Sequence, residues 1–198
     1  MSYQLLERRL DLRKELPIVQ DWSAAADFLG VISNHCLVHK PQTIVECSSG
    51  ASSIVLAQCC MINDCGHVYS LENGEEYVLQ TRQYLDEFCL SGYCDVIHAP
   101  LQQWSLIHEV FQWYELNSFP DIKIDMLVID GPPGSLQKHS RFPALPLLED
   151  KLADDGVIFL DDAARDDEQE VVKHWLAMYP EFRHEYIDNE RGCSILTR

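Results

Sequence analysis

Two carboxylates stand where short β-rich runs give way to loops: Glu46 near the end of 43–48, and Glu72 at the end of 68–72. Between these runs lies Cys47-Ser48-Ser49-Gly50-Ala51-Ser52-Ser53, where small side chains let the backbone approach a ligand and Gly50 is free to take dihedrals closed to other residues. An acidic side chain roughly 20 residues beyond such a turn, at the tip of the next strand, is placed to accept hydrogen bonds from ribose hydroxyls. The pair points to a nucleoside site. The structural alternative is a small-residue turn followed by an ordinary strand-end acid.

Charge narrows the choice of nucleoside. A dinucleotide would bring an anionic pyrophosphate to the first loop, where Glu46 repels it, and no G-x-G-x-x-G is present to admit it. S-adenosylmethionine has no phosphate, and a nearby carboxylate favours both its sulfonium and its ammonium. The expectation is therefore S-adenosylmethionine and methyl transfer, a reaction governed more by in-line alignment than by acid–base machinery. For a hydroxyl or amine acceptor, His139 in the segment 134–140 is a candidate base, with an exposed loop histidine as the plainer reading. Lys138 and Arg141 flank it; they would attract a carboxylated or phosphorylated acceptor, or Arg141 would pair with a strand-end acid and brace the loop.

The elements that must position these residues follow from periodicity. Short apolar runs alternate with longer helical patterns, the signature of βαβ units feeding a parallel sheet. Strands are expected over 43–48, 68–72, 95–99, 124–130 and 157–161, with helices over 18–39, 51–62, 75–90, 102–116, 143–152 and 166–178. Met126-Leu127-Val128-Ile129 and Val157-Ile158-Phe159-Leu160 carry no polar residue, as strands buried on both faces require. Partial alternation over 182–188 and 193–197, separated by Asn189-Glu190-Arg191-Gly192, predicts a terminal antiparallel hairpin. The fold expected is a single α/β unit: an N-terminal helical extension over 1–40, then a Rossmann-like domain over 41–198 with helices on both faces. Trp104, Trp113 and Trp175 fall on expected helices and read as packing; Trp22 reads as core or as lining for an acceptor pocket.

At this point a resemblance becomes specific. Val45-Glu46-Cys47-Ser48-Ser49-Gly50-Ala51-Ser52 resembles the E/D-x-G-x-G-x-G/S first motif of class I methyltransferases, with Ser48 in place of the first glycine. Ser70-Leu71-Glu72 is similar to their acidic second motif, and Ile129-Asp130-Gly131-Pro132-Pro133-Gly134 and Leu160-Asp161-Asp162-Ala163 to motifs at the fourth and fifth strands. The resemblance spans about 40–198 and implies five parallel strands plus the terminal hairpin. It implies that Glu46, Ser48, Gly50 and Ser52 hold the methionine part of the cofactor, Glu72 the ribose, and the segment around Ala99 the adenine edge. Asp130 would be a catalytic group facing the transferred methyl. Asp130, Asp161 and Asp162 also lie where catechol-type O-methyltransferases carry divalent-metal ligands, so Mg²⁺ is a second cofactor to test. The alternative leaves Asp161 and Asp162 capping a helix or pairing with Arg165.

Bulk properties exclude more than they nominate. The chain of 198 residues suits one domain, and 46% hydrophobic against 24% charged residues is globular rather than disordered composition. A net charge of −17 with no basic stripe argues against nucleic acid. No signal-peptide pattern or membrane-length apolar run occurs, and the cysteines lack paired C-x-x-C spacing, so free buried thiols in a cytoplasmic protein are expected. The partner expected is a small-molecule or saccharide-like acceptor, modified at oxygen, with a homodimer as a further option through the edge hairpin or N-terminal helices. Two other functions remain: a non-catalytic module that binds S-adenosylmethionine, and an NAD-type oxidoreductase, which the missing glycine fingerprint and the lack of Tyr-x-x-x-Lys disfavour.

Overall fold

Apolar runs build the centre of the molecule. In the computed structural model, which describes residues 1–20 and 22–198, strands β1 (Thr43–Cys47), β2 (His67–Glu72), β3 (Cys94–His98), β6 (Ile124–Ile129) and β7 (Leu152–Leu160) run parallel. The antiparallel strands β8 (Arg183–Ile187) and β9 (Cys193–Thr197) complete a sheet of order β3-β2-β1-β6-β7-β9-β8. The last strand of the chain, β9, inserts beside β7 and leaves β8 at the edge. This is the expected Rossmann-like plan of five parallel strands and a terminal hairpin. Ile129 and Leu160 are fully buried, as their unbroken apolar runs demanded.

Two apolar layers cover the sheet. On one face α1 (Tyr3–Arg9), α2 (Ala26–His39), α3 (Ala51–Asn63) and α4 (Glu75–Phe88) pack through Leu6, Phe28, Ile32, Val55 and Leu85 against Ile44, Val68 and Val128. On the other, α5 (Ala144–Leu148) and α6 (Asp166–Met178) contribute Leu145, Val172 and Trp175 against Val45, Leu127 and Ile158. Among the described residues no helix is long and apolar enough to cross a membrane.

Three expectations need correction. The helix expected over 18–39 begins only at Ala26, and its position 21 lies outside the described residues; the separate helix α1, capped by Ser2, falls within the expected helical extension over 1–40 but had been given no range of its own. The helix expected over 143–152 is five residues of α-helix and a short 3₁₀ turn before β7 begins at Leu152. The helix expected over 102–116 is an antiparallel hairpin, β4 (Leu101–Leu106) and β5 (Glu109–Tyr114).

The hairpin has a local and a tertiary cause. Trp104 pairs with Phe111 and Gln102 with Trp113, so large aromatic side chains share one face, as β-strands favour. The two-residue turn, Ile107-His108, holds both φ angles positive (44° and 71°), a conformation normally announced by Asn-Gly. Without that signal the segment reads as an amphipathic helix. Phe111, Trp113 and Tyr114 are buried in the same layer as α5 and α6, so the hairpin covers the sheet where a helix would otherwise lie. If it is integral to that layer, Trp113→Ala should lower stability by about 3–5 kcal/mol in urea unfolding; a loss below about 1 kcal/mol would mean the hairpin is peripheral.

Candidate functional site

Strand order reverses between β1 and β6, so the loops leaving their carboxyl ends diverge and open a crevice. A cavity of about 1040 Å³ lies there. Of the residues expected at a cofactor site, Ser48, Gly50, Ser52, Glu72, Asp130 and Asp162 line it; Glu46, Ala99, His139 and Asp161 do not.

The loop after β1 is shaped for close approach. Ser48 and Gly50 take φ of 133° and 134°, a region strained for any residue with a side chain, so Ser48 keeps the backbone of the glycine it replaces. A Cβ built on Gly50 would meet nothing within 4 Å, which leaves the peptide open to the cavity. Ser53 Oγ accepts from the Gly50 amide at 3.1 Å and donates to Glu46 Oε2 at 2.6 Å. Glu46 Oε2 also accepts from Ser70 Oγ at 2.7 Å. Glu46 is fully buried, and burial raises its pKa against the opposing hydrogen bonds from Ser52, Ser53 and Ser70. It therefore braces the loop against β2 and does not present a carboxylate at the cavity wall, where the charge argument had put it.

Glu72 does reach the wall. It accepts from Ser49 Oγ at 2.9 Å and from the Gly74 amide at 2.8 Å, and burial raises its pKa as well. Ser49, also within 3.0 Å of Thr81 Oγ1, is a site residue that sequence reading treated only as a small spacer.

Across the cavity, the ends of β6 and β7 and the start of α6 meet on Arg141. Its Nη2 donates to Asp130 Oδ1 (3.1 Å), the Asp130 carbonyl (2.9 Å) and Asp162 Oδ2 (2.8 Å); its Nη1 donates to the Asp161 carbonyl (2.8 Å) and lies 3.7 Å from Glu168. Arg165 Nη1 also pairs with Asp162 Oδ2 at 2.9 Å. Asp130, Asp161 and Asp162 bring one carboxylate oxygen each within 4.8 Å of one another, as the metal reading required, but the arginine stands among them.

A family model described as a methyltransferase domain matches residues 45–163, more than half of the chain. The chain belongs to that methyltransferase family. No curated protein matches it in sequence. Among solved structures, it is similar to an O-methyltransferase from Bacillus cereus in complex with S-adenosylhomocysteine (13% identity, TM-score 0.69, covering 100% of this chain and 90% of the other). It is also similar to an S-adenosylhomocysteine-bound methyltransferase from Podospora anserina (14%, TM-score 0.70, 99% and 87%). A third is the Streptomyces achromogenes O-methyltransferase of tomaymycin synthesis, in complex with S-adenosylmethionine (12%, TM-score 0.65, 99% and 86%).

In this methyltransferase the three aspartates fit a hydrated Mg²⁺ poorly. Magnesium keeps near-octahedral geometry with several waters. Asp161 is fully buried behind the cavity wall, and Asp162 Oδ2 is already taken by two guanidinium groups. Arg141 supplies a fixed positive charge between Asp130 and Asp162, which would repel an arriving dication.

His139 is not the exposed loop histidine that sequence suggested, nor does it line the cavity. Its ring is buried, with Nε2 2.8 Å from Glu170 Oε2. Trp22 takes the second of its two readings: it is 67% exposed and lines the cavity. Tyr114, Arg165 and Arg191 also line it and were not anticipated. Tyr114 arrives through the hairpin and Arg191 through the β8–β9 turn, and sequence carried no signal for either placement.

Three outcomes follow from the carboxylate cluster. Arg141→Met leaves buried carboxylates without their counter-charge and should cost about 3–5 kcal/mol in denaturant unfolding; Mg²⁺ should not raise the melting temperature of the wild type, and a clear rise would show a metal seated there. Burial, reinforced by Asp130 and Asp162, raises Asp161 from 3.8 to about 8, so the folded chain keeps a proton that the unfolded chain releases. That contribution is complete below the ordinary carboxylate value and is lost as pH climbs toward the folded value. Asp161→Asn should therefore lessen the fall in melting temperature across this window, whereas superimposable pH profiles would show that Asp161 does not titrate there.

Proposed function

We propose that the chain transfers a methyl group from S-adenosylmethionine to a hydroxyl of a small-molecule or saccharide-like acceptor, without a divalent metal. The observation that carries this reading is the cavity at the β1–β6 divergence, walled on one side by Ser48, Gly50 and Glu72 and on the other by Asp130. The open peptide at Gly50 and the strand-tip carboxylate of Glu72 suit an adenosyl ligand, with Glu72 accepting from the ribose hydroxyls in place of its present bond from Ser49. The cavity volume exceeds what one nucleoside needs and leaves room for an acceptor beside Asp130.

The bound donor supplies an electrophilic methyl on sulfur; the acceptor oxygen forms the new bond to carbon as the carbon–sulfur pair returns to sulfur. The acceptor's proton must then leave. Burial, only partly offset by Arg141, pushes Asp130 up to about 7, which makes it a better proton acceptor near neutrality than an ordinary carboxylate. Arg141 fixes its orientation through the side chain and the carbonyl together. Trp22, Tyr114, Arg165 and Arg191 give the remaining wall an aromatic and cationic character, suited to a flat acceptor bearing negative charge.

Calorimetric titration separates this from the alternatives. S-adenosylmethionine should bind the wild type, and Glu72→Ala should weaken it by about 1–3 kcal/mol, the loss from unpaired ribose hydroxyls. Binding of NAD with no binding of S-adenosylmethionine would overturn the assignment, and unchanged affinity in Glu72→Ala would remove Glu72 from it.

A further inference from the structure

His139 and helix α6 bring together donors for which methyl transfer has no use. Nε2 of His139 lies 2.8 Å from Glu170 Oε2 and 3.8 Å from Asp167 Oδ1, and one donor atom from each residue falls within 4.8 Å of the others. Asp167 and Glu170 are one turn apart on α6 and so face the same way. The His139 amide donates to the second oxygen of Asp167 at 2.7 Å, which ties the loop residue to the helix and aims its ring at both carboxylates. The His139 side chain is 10% exposed and its ring packs edge-on to His174, while the two carboxylates remain partly open to solvent.

We propose that His139, Asp167 and Glu170 form a binding site for a divalent transition-metal ion of the zinc type, which fastens the cavity-wall segment 134–141 onto α6. Zinc bonds of about 2.0–2.2 Å to nitrogen and oxygen place tetrahedral ligands about 3.3 Å apart, between the two separations found here. A neutral imidazole with two carboxylates suits zinc, cobalt or nickel better than magnesium, which takes oxygen donors. The partly exposed side leaves room for water to complete the coordination. Lys138 Nζ, 2.7 Å from Glu170 Oε2, competes for the same oxygen, but its side chain is 67% exposed and its departure costs little. Gln137, Lys138 and Asp167 also line the cavity, so an ion here would stiffen one of its walls. The site is distinct from the carboxylates gathered around Arg141, and its test does not depend on the donor or the acceptor.

The test is calorimetric titration of zinc into the full chain carrying Cys65→Ser and Cys89→Ser, which removes the thiols that are not buried. A single ion should bind, and His139→Ala and Glu170→Gln should each weaken it by about tenfold or more. Glu170→Gln alters a partly exposed side chain, and thermal melting followed by circular dichroism checks that each variant is folded. Cobalt should give a visible absorption band that both variants lose. Failure of the folded chain to take up zinc, or unchanged zinc affinity in folded Glu170→Gln, overturns the proposal.

Discussion

The buried guanidinium of Arg141 ties the ends of two neighbouring strands, β6 and β7, to the start of α6. Asp130 follows β6, Asp162 follows β7, and Glu168 lies in the first turn of α6; Asp162 and Glu168 are buried and Asp130 is mostly so. Such charges tolerate burial only when paired and hydrogen-bonded. One planar donor with several N–H groups serves these acids together, and two backbone carbonyls from the strand ends accept two further bonds. Burial, reinforced by the neighbouring carboxylates, is what lifts Asp130 and Asp161 above the ordinary carboxylate range. The same arrangement changes the chemistry available to the methyltransferase. Where a metal would need these carboxylates free, Arg141 pairs with Asp130 and Asp162.

The opposite wall uses neutral hydrogen bonds. Glu46 sits behind the first loop, where serines from the loop and from β2 converge on one of its oxygens, so its burial fixes loop geometry more than it attracts a ligand. The two walls are connected through the hairpin: Gln137 exchanges hydrogen bonds with the Gln112 backbone, and Tyr114 reaches the Gly131 backbone beside Ser48. The cavity is thus bounded by a loop shaped by its dihedrals, a strand end locked by charge, and a hairpin held by packing.

Much of this was legible in the residues. The unbroken apolar runs at 126–129 and 157–160 marked the central strands, and the small-residue stretch between two strand-end acids marked the side of the sheet where the cavity opens. Strand-end position also sufficed to place Glu72 and Asp130 at the cavity. The pairing of Arg141 with strand-end acids was one of two readings open from sequence, and the three-dimensional arrangement selects it. Sequence failed at 102–116, where an aromatic-rich segment with no turn signal satisfies helical and strand patterns equally. It failed again at His139, which looks exposed in a polar, glycine-flanked segment and is buried because α6 offers it two carboxylates.

The division has a physical origin. Periodicity, small-residue turns and strand-end acids are local properties of the chain, and they determined the fold class, the parallel core and the end of the sheet where the cavity opens. Which way each polar side chain turns is a contest among partners distant in sequence, settled only when β1, β6, β7 and α6 are brought together. The tertiary structure alone turned Glu46 inward, seated a guanidinium where a metal had been one of two readings, and drew Tyr114 and Arg191 to the cavity from two separate segments.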